Sequence, residues 1–469
     1  MGVVWRTIRA AFRFSFIVLN NAITIPSYLL YLVLLLPLLL FAPDLFWVTE
    51  GVMFRWLLAM VASWGWSAGY TVMEWGADVS SLADDEALVM ANHQSTGDVC
   101  TLMMCLQDKG NVVRNVMWLM DYVFKYTNFG IVSIMHGDFF IKQGKAQREQ
   151  QVAKFESHLS GVWHERRRRW LVLFPEGGFL RKRLKISQRY GERRGLPTLH
   201  HVTLPRTGAI LAALRALVAP QRLERSNSIT HDTGTGIVVG RNATALQKDS
   251  LSTSGGLACK DQSALHSDVF VDNFKSVIST DRLPATYQDP VPFKEVLKPF
   301  YDGESLAVAT QRGRTECRNE CTKKCGVKGC LNGQVAPSTE GKSLRRGLHW
   351  LIDVTIAYPG GKPMDIQTWV LALQPPMMTH VHYRVFPMCE VPLEDERLED
   401  WIYQRFMEKE RLLEYFYRTG AFPAADGETN AVPRPMSLNN SWLVLLHLWA
   451  FASGAAWFTV LYRAYSWFI

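Results

Sequence analysis

The sequence predicts a membrane-anchored α/β protein. A mixed sheet flanked by helices sits between N-terminal and C-terminal membrane helices and is interrupted by a flexible insert. Three observations predict this class: long uncharged apolar runs at both ends, short apolar runs alternating with amphipathic stretches between them, and a long polar segment that breaks the alternation. The bulk composition agrees. Of 469 residues 48% are hydrophobic and 12% aromatic, which excludes an intrinsically disordered chain. The formal net charge of +8, from 51 Lys+Arg against 43 Asp+Glu, suits an anionic membrane surface, an anionic substrate or nucleic acid, so its location has to decide.

The N-terminal run, residues 14–43, holds no charged residue, and about 20 apolar residues suffice to cross a bilayer. It is too long for a signal-peptide core and no small-x-small cleavage site follows it. A second uncharged run, 56–73, reads as a further span, a re-entrant segment or an interfacial helix. A third, 435–462, is rich in Trp and Leu. Arg6, Arg9 and Arg13 precede the first span, so the positive-inside rule places the N-terminus in the cytosol. A hairpin of the first two segments would return the following domain to that side.

Between the anchors, apolar runs at 87–91, 130–135, 170–174 and 201–204 read as strands and 146–163 as a helix. Strand–helix alternation argues for a mainly parallel sheet. Further strands are expected at 349–357, 366–373 and 381–386, and a helix at 398–417, whose aromatics Trp401, Tyr403, Phe406 and Phe416 read as packing residues. In residues 221–340 only 41 of 120 are hydrophobic and none is Trp, the composition of a solvated insertion. The chain thus divides into membrane-anchoring helices (1–74), a first core part (75–220), the insert (221–343), a second core part (344–430) and a C-terminal membrane segment (431–469). Within the insert Cys317, Cys321, Cys325 and Cys330 are spaced by four, four and five. They lack paired C-x-x-C knuckles, so no metal site is assigned.

Chemistry concentrates at two strand ends. Asn92-His93-Gln94-Ser95-Thr96-Gly97-Asp98 follows the 87–91 run. A carboxylate five residues beyond a histidine, across a turn, can hold one imidazole nitrogen while the other faces a cleft. Such an imidazole is a general base for a hydroxyl. It could equally activate a serine, and Ser95 is near, but no G-x-S-x-G elbow surrounds it. The second site, Phe174-Pro175-Glu176-Gly177-Gly178-Phe179, leads into Leu180-Arg181-Lys182-Arg183. Its glycines let backbone N–H groups approach an anion, and the cations supply charge. Residues 161–194 hold 11 Lys+Arg and three acids, the whole of the net excess. The charge therefore flanks this motif, and nucleic acid recedes as a partner. No Walker or dinucleotide loop is present.

The pair N-H-x-x-x-x-D (Asn92 to Asp98) and F-P-E-G (Phe174 to Gly177) resembles the glycerolipid acyltransferases. His136-Gly137-Asp138-Phe139-Phe140-Ile141-Lys142 looks like that family's block between the two motifs, and Val202-Thr203-Leu204-Pro205 like the block after them. The resemblance covers roughly 1–219 and 344–469. It implies transfer of a fatty acyl chain from acyl-CoA, as co-substrate and with no cofactor, to the hydroxyl of a lysophospholipid. Lysophosphatidylglycerol is the acceptor of the branch that matches best and lysophosphatidylethanolamine the alternative. A catalytically silent lipid-binding scaffold of the same fold is the reading from another class. His93 would be the general base, oriented by Asp98. Asn92, Lys142, Phe174, Pro175, Glu176, Gly177, Arg181 and Arg183 would bind substrate, the two arginines as candidates for phosphate. The setting implied is multi-pass in the endoplasmic reticulum membrane, with the catalytic domain facing the cytosol. Two departures stand out. The family's E-G-T-R reads Glu176-Gly177-Gly178-Phe179 here, and the middle block ends in Lys142-Gln143 where an arginine is usual.

Overall fold

Alternation of strand and helix does run through the chain. In the computed structural model, residues 3–218, 330–331, 334–335, 347–424 and 432–468 are described. Two apolar helices, α1 (Val3–Phe41) and α2 (Pro43–Ala68), lead into β1 (Thr71–Gly76) and β2 (Ala87–Ala91). Then follow α3 (Gly97–Leu106), β3 (Val116–Asp121), α4 (Gly130–His136), β4 (Phe139–Ile141), α5 (Arg148–Glu165), β5 (Trp170–Leu173), α6 (Leu180–Arg194) and α7 (Gly208–Leu217). A two-residue antiparallel pair, β6 (Cys330–Leu331) with β7 (Gln334–Val335), precedes β8 (Trp350–Ala357), α8 (Ile366–Leu371) and β9 (Met378–Pro387). The chain closes with α9 (Asp395–Thr419), β10 (Arg434–Pro435) and α10 (Asn440–Phe468). The cysteines Cys317, Cys321 and Cys325, and the expected insert apart from β6 and β7, lie outside the described residues.

One sheet carries the architecture, in the order β10-β1-β9-β8-β2-β5-β3-β4. It is mixed: β8 and β9 pair antiparallel, as do β1 and β10, and the other neighbours are parallel. Central strands covered on both faces must be apolar throughout, and β2 and β5 are. Ala87, Val89, Ala91, Trp170 and Val172 point into one core with α2, α3 and α8. Leu88, Met90, Leu171 and Leu173 point into a second core with α5, α7 and α9. Phe406 and Phe416 are buried in that second core, the packing role expected of them.

The membrane helices and the first core are continuous. Helices Val4–Phe41, Pro43–Ala68 and Ser441–Trp467 are each long and apolar enough to span a bilayer, and α2 is two-thirds buried where the other two are mostly open. Gly65 of α2 lies against Trp369 of α8 and Met104 of α3 so closely that a Cβ there would strike the indole. At its other end Glu50, fully buried, accepts from Tyr28 Oη (2.7 Å), pairs with His136 Nδ1 (2.7 Å) and with Arg168 (3.0 Å). Such a buried charge persists only where partners replace its water. α2 is therefore bolted to α1, α4 and the approach to β5 through one side chain.

Three expected strands are corrected. Residues 130–135 form α4, because a parallel step from β3 to β4 needs a crossover, and Gly137 ends it in the left-handed region (φ 100°). Residues 366–373 begin with α8, whose first turn is capped by Asp365 accepting Thr368 N–H at 2.7 Å. Residues 201–204 run in no ladder. The amides of His200, His201 and Val202 donate to the Glu410 carboxylate of α9 (2.6, 2.8 and 3.0 Å), which does the work of a neighbouring strand. Strands β1, β3 and β4 stand where none was expected.

Candidate active site

The two motifs meet at the carboxyl ends of β2 and β5, adjacent parallel strands. Asn92 continues the ladder by side chain. Its amide donates to Ile356 O (3.0 Å) and accepts Ile356 N–H (2.7 Å), mimicking one more β2–β8 step and leaving Asn92 fully buried. The chain then turns. Asp98, in the first turn of α3 where a carboxylate is favoured, takes Ser95 N–H (2.9 Å) and His93 Nδ1 (2.9 Å) on Oδ2. Its other oxygen accepts the Tyr358 hydroxyl at 2.6 Å. Asp98 is fully buried and the His93 side chain is 11% exposed, so the carboxylate is enclosed and the imidazole reaches the surface of the cleft. Burial beside Asp98 pushes the Tyr358 hydroxyl well above the usual phenol range, so Tyr358 remains a donor. Ser95 Oγ bonds to Met364 O instead of His93.

Aromatic walls hold the imidazole. Phe174 stacks on it (centroids 4.0 Å, 20°) and Phe179 meets it edge-on (4.5 Å, 62°). Glu176 lies beneath. Its Oε1 accepts His93 N–H (2.6 Å) and its Oε2 accepts both Thr203 N–H (2.8 Å) and Thr203 Oγ–H (2.7 Å). Burial pushes the Glu176 carboxyl up to about 8, with Asp98 adding to the rise and the donated hydrogen bonds opposing it. Glu176 thus ties the β2 and β5 loops to the 202–204 segment through backbone, while Pro175 O accepts Arg206 N–H (2.7 Å).

The glycines carry the cations. Gly177 sits at φ 64° and Gly178 at φ 153°, conformations that a side chain would strain. A Cβ on Gly177 would also come within 3.2 Å of Arg206 Nε, and one on Gly178 within 2.8 Å of Arg183 Cδ. Arg206 has its pKa lowered to about 10, first by burial and then by the charges of Arg183 and Arg148. Arg206 therefore lies beside Gly177 and Arg183 beside Gly178, with Arg148 close enough for its charge to act on Arg206. Of the expected cations, Arg183 belongs to this group, Arg181 is exposed on the first turn of α6, and Lys142 stacks over Tyr122 at 4.3 Å. Sequence reasoning missed Tyr358, Arg148, Arg206 and Thr203. Arg206 and Thr203 sit in or beside the 202–205 block, but nothing local marks Tyr358 or Arg148. Among the described residues no cluster of His, Cys, Asp or Glu could hold a metal ion.

A carboxylate-held imidazole beside a group of cations can deprotonate a hydroxyl on an anionic substrate. Comparison with known proteins is consistent with such a site. The family model described as "Acyltransferase" matches residues 78–221, and that described as "Acyltransferase C-terminus" matches 369–445. The mouse acyl-CoA:lysophosphatidylglycerol acyltransferase 1 is 43% identical over 98% of this chain and 96% of its own. Its human counterpart is 42% identical over the same shares. A putative 1-acyl-sn-glycerol-3-phosphate acyltransferase of Caenorhabditis elegans is 33% identical over 39% of this chain and 47% of its own. No solved structure matches. With both halves of the domain matched and its first relatives aligned almost end to end, the chain belongs to the acyltransferase family.

Proposed function

We propose that this membrane acyltransferase moves a fatty acyl chain from acyl-CoA to the free hydroxyl of a lysophospholipid, lysophosphatidylglycerol first among them. The observation that carries the reading is the His93–Asp98–Tyr358 chain, tied through Glu176 to the Gly177–Gly178 turn that Arg206 and Arg183 flank, with the charge of Arg148 acting on Arg206. With Nδ1 committed to Asp98, Nε2 is the nitrogen left for chemistry. It takes the hydroxyl proton as that oxygen attacks the thioester carbonyl, and Asp98 stabilises the imidazolium. The tetrahedral adduct collapses, the C–S bond breaks, and the proton returns to the departing CoA thiolate. No acyl-enzyme is needed, in keeping with Ser95 being bonded to Met364 O. The arginines supply bidentate donors for the acceptor phosphate, replacing the family arginines that Gly178–Phe179 and Gln143 displace.

The names of the mouse and human relatives favour lysophosphatidylglycerol. Topology follows the same logic. Arg9 donates to Ala372 O (2.9 Å) and Arg13 to Val370 O (3.0 Å), so the positive end of α1 and the end of α8 lie together. That supports a catalytic domain on the cytosolic side, in the endoplasmic reticulum membrane. Microsomes carrying wild type or His93→Ala, given labelled acyl-CoA with a panel of lysophospholipids, test the whole. Acceptor-dependent product made by wild type alone is expected. Equal product from both would end the proposal, free fatty acid without acceptor would indicate a thioesterase, and a preference for lysophosphatidylethanolamine would move the head group.

A further inference from the structure

The 3₁₀ turn Tyr122–Tyr126 and α4 expose an apolar surface that the site chemistry does not use. No residue of the turn is buried, and Val123, Phe124 and Tyr126 are 67%, 41% and 75% exposed. On α4 the inner side (Gly130, Val132, Ser133, His136) is buried, while Ile131, Ile134 and Met135 point outward. The surface is firmly built. Gly130 lies so close to Lys125 O that no side chain fits there. Asp121 caps the turn by accepting Val123 N–H at 3.0 Å, and Arg166 donates to Met135 O at 2.7 Å. A rigid apolar patch on a water-facing surface costs solubility unless something covers it.

Its surroundings indicate what does. His136, at the end of α4, stacks on Phe54 of α2 (centroids 3.4 Å, 5°) and pairs with Glu50 of the same helix. Arg166, holding the α4 carbonyls, packs over Trp47 (4.7 Å). The patch is therefore carried by a helix seated directly on the apolar helix α2, whose own Leu45, Val48 and Val52 are exposed. At its rim stand Tyr122 and Tyr126, with Lys125 and Lys142 over the Tyr122 ring (5.7 and 4.3 Å). Apolar side chains with tyrosines and snorkelling lysines at the edge match the headgroup–acyl boundary of a bilayer. The turn also follows β3, whose Asp121 accepts from Gln143, which in turn accepts from Arg206. It therefore lies on the arginine side of the cleft.

We infer that residues 122–135 form a second, interfacial membrane contact, which beds the domain into the headgroup layer beside the phosphate site and presents that site to bilayer-borne acceptor. The inference rests on the membrane location of the apolar helices, not on which head group is used. The first test places p-benzoylphenylalanine at Ile131 in the full chain in phospholipid nanodiscs, where irradiation should yield a phospholipid adduct by mass spectrometry. An adduct to a second copy or to another polypeptide, or none with lipid, overturns it. The second uses the variant Phe124→Ser/Ile131→Ser/Ile134→Ser, which alters exposed side chains only. Its apparent KM for acceptor presented in bilayers should rise about tenfold, as expected when several apolar side chains leave lipid. Activity on a short-chain, water-soluble acceptor should stay at wild-type level. Unchanged KM in bilayers, or equal loss on both acceptors, refutes the inference. Because the adduct needs no turnover, its outcome is separable from the acceptor assignment.

Discussion

Replacing Tyr358 with Phe deletes one hydroxyl and leaves the ring, so it isolates the bond to Asp98 Oδ1 at 2.6 Å. In the wild type Asp98 receives Tyr358 on one oxygen and Ser95 N–H and His93 on the other. All of this happens in a fully buried position, where a hydrogen bond to a charged group contributes about 1.5–3 kcal/mol. The lost bond should lower the melting temperature in detergent by roughly 2–4 °C for a chain of this size, because the unfolding entropy grows with length. It should also act on catalysis with a definite sign. A carboxylate stripped of one donor concentrates its charge on His93 and holds the imidazolium more tightly. The acidic limb of the kcat/KM profile then moves to higher pH, by roughly half to one unit if a third to a half of the bond energy is transmitted. The assay is initial rate against pH at saturating acyl-CoA, with varied lysophospholipid. An unmoved limb together with an unmoved melting temperature would refute the relay, and a falling plateau with an unmoved limb would make Tyr358 merely structural.

The other expectations can be checked with the same preparations. Burial pushes the Glu176 carboxyl up from 4.5 to about 8, so the folded state prefers the proton. Its contribution is complete below about pH 4.5 and is lost as pH rises through about 8. Glu176→Gln should remove that part of the decline in melting temperature, and an identical slope in both proteins would contradict it. Arg206→Gln should raise KM for a lysophospholipid about tenfold or more, the value of one charge-assisted bond, with kcat little changed. An equal rise for a phosphate-free monoacylglycerol would dissociate Arg206 from phosphate. Glu50→Gln leaves Arg168 and His136 without their buried anion. It should destabilise by about 3–5 kcal/mol, read as a lower melting temperature in detergent, and wild-type thermal stability would show the network to be idle.

Some of this was legible residue by residue. Chain-local chemistry shows in any window of sequence. Spans betray themselves because a bilayer's thickness demands a run of apolar residues, and α1 and α10 largely cover the uncharged runs, whereas α2 starts at Pro43, ahead of the 56–73 run, and carries Asp44, Glu50 and Arg55. His93 and Asp98 are five residues apart, so a single turn brings them together, and the charge excess at 161–194 needs no folding to be counted. Short apolar runs such as 130–135 and 366–373 read as strands but fold into or begin with helices, because at six to eight residues periodicity does not separate a buried strand from a helix. The crossover from β3 to β4 and the Asp365 cap decided both for helix.

What tertiary structure alone decided is the company each local motif keeps. Tyr358 lies 260 residues from Asp98 in sequence, beyond the 221–343 segment. It arrives there because β8 pairs with β2 and delivers its end to the same loop. Arg183 and Arg206 reach the Gly177–Gly178 turn along separate elements, and Glu176, which reads as a substrate contact, spends both oxygens on His93 and Thr203. Sequence by itself determined that this chain is membrane-bound and carries a histidine–carboxylate pair beside basic charge, because those properties depend on composition and short spacing. Which groups buttress the pair and which cations face the acceptor depended on strand order, a long-range property that no local window contains.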